Sequence, residues 1–161
     1  MANLAINGGP KTIDRPLGGP WPEYGDMERE ALNSVLESRK WWRGGYADPA
    51  DSWVGKFENY FAKLQDCDYG VALTNGTQAI ELALKAIGIK PGDEVICPAS
   101  TFVATATAVI LVNAIPIIVD IEPNYYQIDP AAIEAAITPN TVGIIPVHYG
   151  GYPADMDAIN A

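Results

Sequence analysis

The sequence predicts an α/β fold with a mainly parallel sheet, and three observations carry that prediction. After Asp68, short apolar runs at about 69–74, 94–98, 115–120 and 142–147 alternate with helical spacings at about 76–87, 101–113 and 130–137. Ile115 to Val119 and Val142 to Val147 are apolar without polar alternation, the pattern of strands covered on both faces. Residues with chemical reach collect at the carboxyl ends of these runs: Thr74 to Gln78, Pro98 to Phe102, Asp120, then His148 and Tyr149. In sheets built from right-handed βαβ crossovers, that rim is where ligands bind.

Taken in order, residues 1–25 are rich in glycine and proline, including Gly8-Gly9-Pro10 and Gly18-Gly19-Pro20-Trp21-Pro22, and predict an extended arm. Asp26 is suited to cap a helix running to about Ser38, with Leu32, Val35 and Leu36 on its inner face. Next comes Arg39-Lys40-Trp41-Trp42-Arg43-Gly44-Gly45-Tyr46, the densest cluster of cations and aromatics in the chain. A further helix begins near Ser52, where Val54, Phe57, Phe61 and Leu64 recur at helical spacing and are assigned to the core. Gly88 stops the helix over 76–87, Lys90-Pro91-Gly92-Asp93 makes a turn, and Asp129-Pro130 opens the last helix with proline at its first position.

The turn Thr74-Asn75-Gly76-Thr77-Gln78-Ala79 joins the first run to the first helix of this series. Asn-Gly is also a hairpin signal, but a hairpin needs an alternating strand after it. Here Ile80, Leu82, Ala83, Leu84, Ala86 and Ile87 are apolar, while Gln78, Glu81 and Lys85 share one narrow stripe, so a helix follows. A helix N-terminus presents unpaired N–H groups and a partial positive charge, which suits Gly76, Thr77 and Gln78 to hold a phosphate. The alternative, that Thr77 is only a cap, loses ground because the other distinctive residues share the same rim. Neither G-x-G-x-x-G nor a P-loop pattern is present, so a dinucleotide or nucleoside triphosphate has no specific support.

The formal net charge of −10 argues against nucleic acid or an anionic membrane as partner. Cys67 and Cys97 lie in no metal-ligand spacing and read as reduced thiols of a cytoplasmic protein, with no metal site. No secretory signal is present at the start. Val95 to Val119 holds no charged residue, but Pro98, Asn113 and Pro116 interrupt it, so it reads as strand, helix and strand rather than a membrane span.

With these residues in hand, the chain resembles the DegT-type (DegT/DnrJ/StrS) sugar aminotransferases, fold type I enzymes dependent on pyridoxal 5′-phosphate (PLP). The resemblance runs from Pro20-Trp21-Pro22 through Phe57-Glu58, Asn75-Gly76-Thr77-Gln78-Ala79, Gly88 to Val95, Thr101-Phe102-Val103-Ala104-Thr105, Val119-Asp120 and Pro146-Val147-His148 to Pro153-Ala154-Asp155-Met156-Asp157. Singly these are weak motifs; their order and spacing make the signal. The nearest branches are the aminohydroxybenzoate-synthase and scyllo-inosose aminotransferase types.

The resemblance implies that Gly76, Thr77 and Gln78 hold the PLP phosphate and that Phe102 stacks on the pyridine ring. His148 ends a strand-like run on the same rim, a position suited to face the cofactor or the amino donor, with a hydrogen-bonded structural histidine as the alternative. Trp42 and Arg43 resemble a pair that helps form the substrate pocket in the aminohydroxybenzoate-synthase branch, with a surface cation–aromatic cluster as the alternative. Asp120 is read as a strand-end cap rather than a catalytic acid. The implied reaction moves an amino group from Glu or Gln to a keto sugar or cyclic ketone, in a homodimer.

The family's Schiff-base lysine, its pyridinium carboxylate and its small domain all lie beyond the Pro-Ala-Asp-Met-Asp segment. None of Lys11, Lys40, Lys56, Lys63, Lys85 and Lys90 matches the lysine position. The expectation is therefore an N-terminal arm with helices over 1–68 and an incomplete PLP-binding large domain over 69–161, with no catalytic residue and no transamination by this chain alone. In the family sheet, the run at 69–74 pairs with a late strand, while the other three neighbour one another. The edge at 142–147 is then bare and the isolated chain marginal. The rival reading is a noncatalytic remnant, or a module that binds PLP or phosphate without turnover.

Overall fold

Small polar residues set the helix starts. In the computed structural model, which describes residues 3–161, Ser52 accepts from the Gly55 amide at 3.0 Å, Asn75 from Gln78 at 3.0 Å, Asp129 from Ala131 at 2.9 Å and Asp155 from Ala158 at 3.0 Å. These caps open α2 (Trp53–Leu64), α3 (Gly76–Ala86), α5 (Pro130–Ala136) and α6 (Met156–Asn160). For α1 (Asp26–Ser38) the cap position is Gly25, and Asp26 is the first helical residue. Glu28 closes that end by accepting the Gly25 amide at 2.6 Å, and this bond holds its carboxyl below the usual range.

The chain divides into two compact units, Met1–Val71 and Ala72–Ala161. In the first, the expected apolar faces are not the buried ones. Leu32 and Leu36 of α1 are exposed, as are Val54, Phe57, Phe61 and Leu64 of α2, whose Phe57 and Phe61 rings stack at 5.6 Å. The face of α2 that is buried carries Gly55, Glu58 and Ala62. Close backbone approach selects that face. A Cβ at Gly55 would come within 2.4 Å of the Pro49 carbonyl oxygen, and one at Gly70 within 2.6 Å of the Glu58 carbonyl oxygen. Segments that pack this tightly need the helix's smallest residues, so the large apolar stripe turns outward.

In the second unit, β1 (Glu94–Pro98), β2 (Ile115–Val119) and β3 (Thr141–Ile144) form a parallel sheet in the order β2-β1-β3. Central β1 alternates faces: Val95 and Cys97 pack with Leu84 of α3 and with Ala108 and Val109 of α4 (Ala104–Leu111). Ile96 packs on the other side with Val119, Ile128, Ile133 and Ala154. Both faces of β1 are thus covered, as its unbroken apolar run implies. Edge positions Ile118 and Val142 are about half exposed, against the expectation of full cover. Burial among these side chains pushes the Cys97 thiol up to about 11.

Two further expectations are corrected. Residues 69–74 form no strand among the described residues, and Tyr69 and Val71 are exposed. The helix expected from 101 begins at Ala104, because Thr101 to Val103 form a turn in which the Thr105 amide donates to the Phe102 carbonyl at 3.1 Å.

Candidate functional site

Three segments of the second unit converge on one cleft of about 810 Å³, within the range usual for small-molecule sites. They are the N-terminus of α3, the turn after β1 and the turn after β3. The lining includes Asn75, Gly76, Thr77, Thr101, Phe102, Thr105, His148, Tyr149 and Gly150, with Ile80, Ile145 and Val147 as its apolar floor.

At the α3 end, the Asn75 side-chain oxygen accepts from the Gln78 amide. That leaves the amides of Gly76 and Thr77, and the Thr77 hydroxyl, with no intramolecular partner among the described residues. The first turn of α3 carries no acidic residue, and no Asp or Glu lines the cleft. In a chain of net charge −10, a carboxylate-free pocket facing a positive helix end is a local reversal of the molecule's field. A Cβ built on Gly76 meets nothing within 4 Å, so the space in front of these amides is open. Gln78 differs from expectation in its commitments: its amide is engaged by Asn75, its side-chain oxygen accepts from the Thr74 hydroxyl, and it does not line the cleft.

Phe102 also lines the cleft and is 75% exposed, which leaves much of its ring open. The turn that displays it is closed by the Thr101 and Thr105 hydroxyls, 2.8 Å apart, with Thr105 buried. The i, i+4 spacing of these two threonines was a legible signal of that lock.

His148 lines the cleft and accepts from the Ala154 amide through Nδ1 at 3.0 Å, which places the neutral ring's proton on Nε2. The histidine is thus hydrogen-bonded within the fold, as the structural alternative had it, while lining the cleft. Asp120 accepts from its neighbour's amide, Ile121, at 2.8 Å, as a strand-end cap does. Gln127 gave no sequence signal, yet it is buried and bonds to both main-chain polar groups of Tyr149.

Trp42 and Arg43 belong to the first unit. There the Arg43 guanidinium meets the Glu58 carboxylate with both nitrogens, each at 3.3 Å. The Trp42 ring lies against Gly44, where a Cβ would come within 2.1 Å of it. Arg43 thus already holds a bidentate carboxylate partner within the first unit. Among the described residues no group of three His, Cys, Asp or Glu side chains gathers to hold a metal, and no helix is long and apolar enough to cross a membrane.

The model of the DegT/DnrJ/EryC1/StrS aminotransferase family matches residues 22–161. The 3-amino-5-hydroxybenzoate synthase of Amycolatopsis mediterranei is 44% identical over 139 residues, 86% of this chain and 34% of the relative. The L-glutamine:scyllo-inosose aminotransferase of Streptomyces griseus is 40% identical over 158 residues, 98% of this chain and 37% of the relative. A crystal structure of 3-amino-5-hydroxybenzoic acid synthase superposes with a TM-score of 0.81 at 43% identity, covering 90% of this chain and 36% of that one. The Bacillus subtilis protein NtdA, solved with bound cofactor PMP, gives 0.74 at 35% identity, covering 91% and 34%. The chain spans about a third of the length of the curated relatives it matches.

Proposed function

Because the chain belongs to the DegT/DnrJ/EryC1/StrS aminotransferase family, we propose that it supplies the phosphate cradle and the ring-stacking wall of a PLP-dependent aminotransferase. The observation that carries this reading is the pair of unpartnered amides at Gly76 and Thr77, facing a carboxylate-free cleft at a helix N-terminus. The donor set fits the group: two amides and a hydroxyl suit a phosphate dianion, and the same lining carries an exposed aromatic ring, Phe102.

When bound, PLP supplies the electron sink that lets an amino group pass between an amino acid and a ketone. The Gly76 and Thr77 amides and the Thr77 hydroxyl bind the phosphate. Gln78 contributes by holding the turn, through its amide on Asn75 and its side chain on Thr74. Phe102 covers one ring face and excludes water from it, a stack worth about 0.5–1.5 kcal/mol beyond area burial. His148 offers Nε2–H as a donor at the cleft wall.

The proposed donor is glutamine or glutamate, and the proposed acceptor a keto sugar or cyclic ketone; the names of the inosose aminotransferases and of the aminohydroxybenzoate synthase support these classes. Arg43, held by Glu58, and Trp42 are the proposed substrate-side residues. On this reading residues 1–68 are an arm with helices, and 69–161 a portion of the PLP-binding large domain, working in a cytoplasmic homodimer. No lysine is among the residues lining the cleft, so the catalytic lysine is proposed to come from polypeptide outside residues 1–161. The same observation favours a second reading, a module that binds PLP without turnover.

Comparison of PLP with pyridoxal tests the cradle. The account expects the full chain to retain PLP and to bind pyridoxal, which lacks the phosphate, far more weakly. Equal affinity for the two would remove the cradle.

A further inference from the structure

Gln127 is 5% exposed, and its side-chain amide has three partners. Nε2 donates to the Tyr125 carbonyl at 3.1 Å and to the Tyr149 carbonyl at 3.0 Å, while Oε1 accepts from the Tyr149 amide at 2.9 Å. The last two bonds grip both main-chain polar groups of one residue, as a paired strand would.

The gripping residue is itself held firmly. Its carbonyl accepts from the Glu122 amide at 2.8 Å, and Ile121 and Ile128 form an antiparallel bridge around the turn. The Glu122 carboxylate pins that turn by accepting the amides of Asn124 at 3.0 Å and Tyr125 at 2.8 Å.

The gripped segment has no ladder of its own. Tyr149 opens a turn closed by the Gly151 amide on the His148 carbonyl at 3.1 Å and the Tyr152 amide on the Tyr149 carbonyl at 3.2 Å, in which Gly150 and Gly151 have φ of 64° and 83°, a left-handed backbone that glycine adopts readily. That turn, with His148, forms one wall of the cleft. It is also held by the bond from the Ala154 amide to His148 Nδ1, by the Tyr149 amide's second bond to the Val147 carbonyl at 2.9 Å, and by the Tyr152 ring stacked on Tyr125 at 5.1 Å.

We propose that Gln127 is a positioning residue: by holding Tyr149 at both main-chain polar groups, it fixes the His148–Gly150 wall and keeps the His148 ring in its Nε2–H form, a donor for the ligand of the cleft. Only the identity of that ligand rests on the PLP reading above.

His148 is the single histidine of the sequence, so its ring nitrogens are unambiguous in a ¹⁵N NMR spectrum of the full chain. The test compares wild type with Gln127→Met, which keeps length and removes all three bonds. Gln127→Glu serves as the second variant: it keeps the acceptor for the Tyr149 amide and sets an oxygen against two carbonyls. Three readouts are taken: ring-nitrogen shifts without ligand, Tyr149 amide exchange, and PLP affinity by equilibrium dialysis.

In wild type the expected spectrum is that of one tautomer, with the proton on Nε2. In a folded variant the ring shifts move toward averaged tautomers, the Tyr149 amide exchanges faster, and PLP affinity falls about tenfold. Either variant, folded and with wild-type ring shifts and affinity, would overturn the assignment, and if Gln127→Met fails to fold, Gln127→Glu decides it. A wild-type chain that binds no PLP strikes the functional proposal instead, and the ligand-free ring shifts still decide the role of Gln127.

Discussion

Gly76 and Asn75 sit side by side but separate ligand binding from folding. Because a Cβ at Gly76 meets nothing, Gly76→Leu should leave the melting temperature unchanged while its side chain fills the space before the amides. PLP affinity should then fall by at least about tenfold, roughly 1.4 kcal/mol, measured by dialysis. Asn75→Ala acts the other way round: loss of the Gln78 cap should cost about 1 kcal/mol of stability in a denaturant melt. The two cysteines give a third contrast. Cys67 is exposed and Cys97 fully buried, so a thiol reagent should modify one residue in the native chain and both after denaturation. The raised Cys97 value also sets a pH dependence. Unfolding lets this thiol ionise near its ordinary value of 9.0, whereas the folded state holds it protonated until about 11. Its contribution, on the order of 2 kcal/mol, should be fully present below pH 9 and lost as pH rises toward 11 in a stability profile.

At the scale of elements, α2 shows how a correct period can name the wrong face. Val54, Phe57, Phe61 and Leu64 mark a helix, and the helix is there, but Gly55, Glu58 and Ala62 are what it buries. Gly55→Ala should therefore destabilise the first unit by about 1–3 kcal/mol, because the new methyl meets the Pro49 carbonyl and the Ala50 backbone. Periodicity reports which residues are apolar and not which face a neighbouring segment approaches, so this was unreadable beforehand. Strand 69–74 failed for a related reason: a strand exists only with a partner, and Tyr69 to Leu73 name no partner. By contrast β1, β2, α3 and α5 were legible, and β3 in all but its end, which falls at Ile144 rather than 147, because unbroken apolar runs, Asn75, Gly88 and Asp129-Pro130 are local signals with local causes. The rim was legible too: the ends of β1 and β3 and the start of α3 bring Phe102, His148, Gly76 and Thr77 to one cleft, although no strand precedes α3 among the described residues. Gln127 was missed because its partner lies 22 residues away on an irregular turn, and the commitment of the Gln78 amide could not be told from a free one by spacing.

For the molecule as a whole, charge is the governing fact. Twenty acidic residues against ten Lys and Arg repel an approaching phosphate ester at long range, while the carboxylate-free end of α3 attracts it at contact. Raising salt from 0.01 to 0.15 M shortens the screening length from about 30 to about 8 Å, which should weaken the repulsion more than the contact. Stopped-flow binding of PLP should accordingly speed up over that range. A slower association would indicate a basic entrance that the sequence does not provide. The central claim is that the first turn of α3 holds the phosphate, and ³¹P NMR of PLP titrated with the full chain tests it most directly. The account predicts that the ester resonance shifts and broadens with wild type and stays at its free position with Gly76→Leu. An unmoved resonance with wild type, or the same shift with Gly76→Leu, would contradict it.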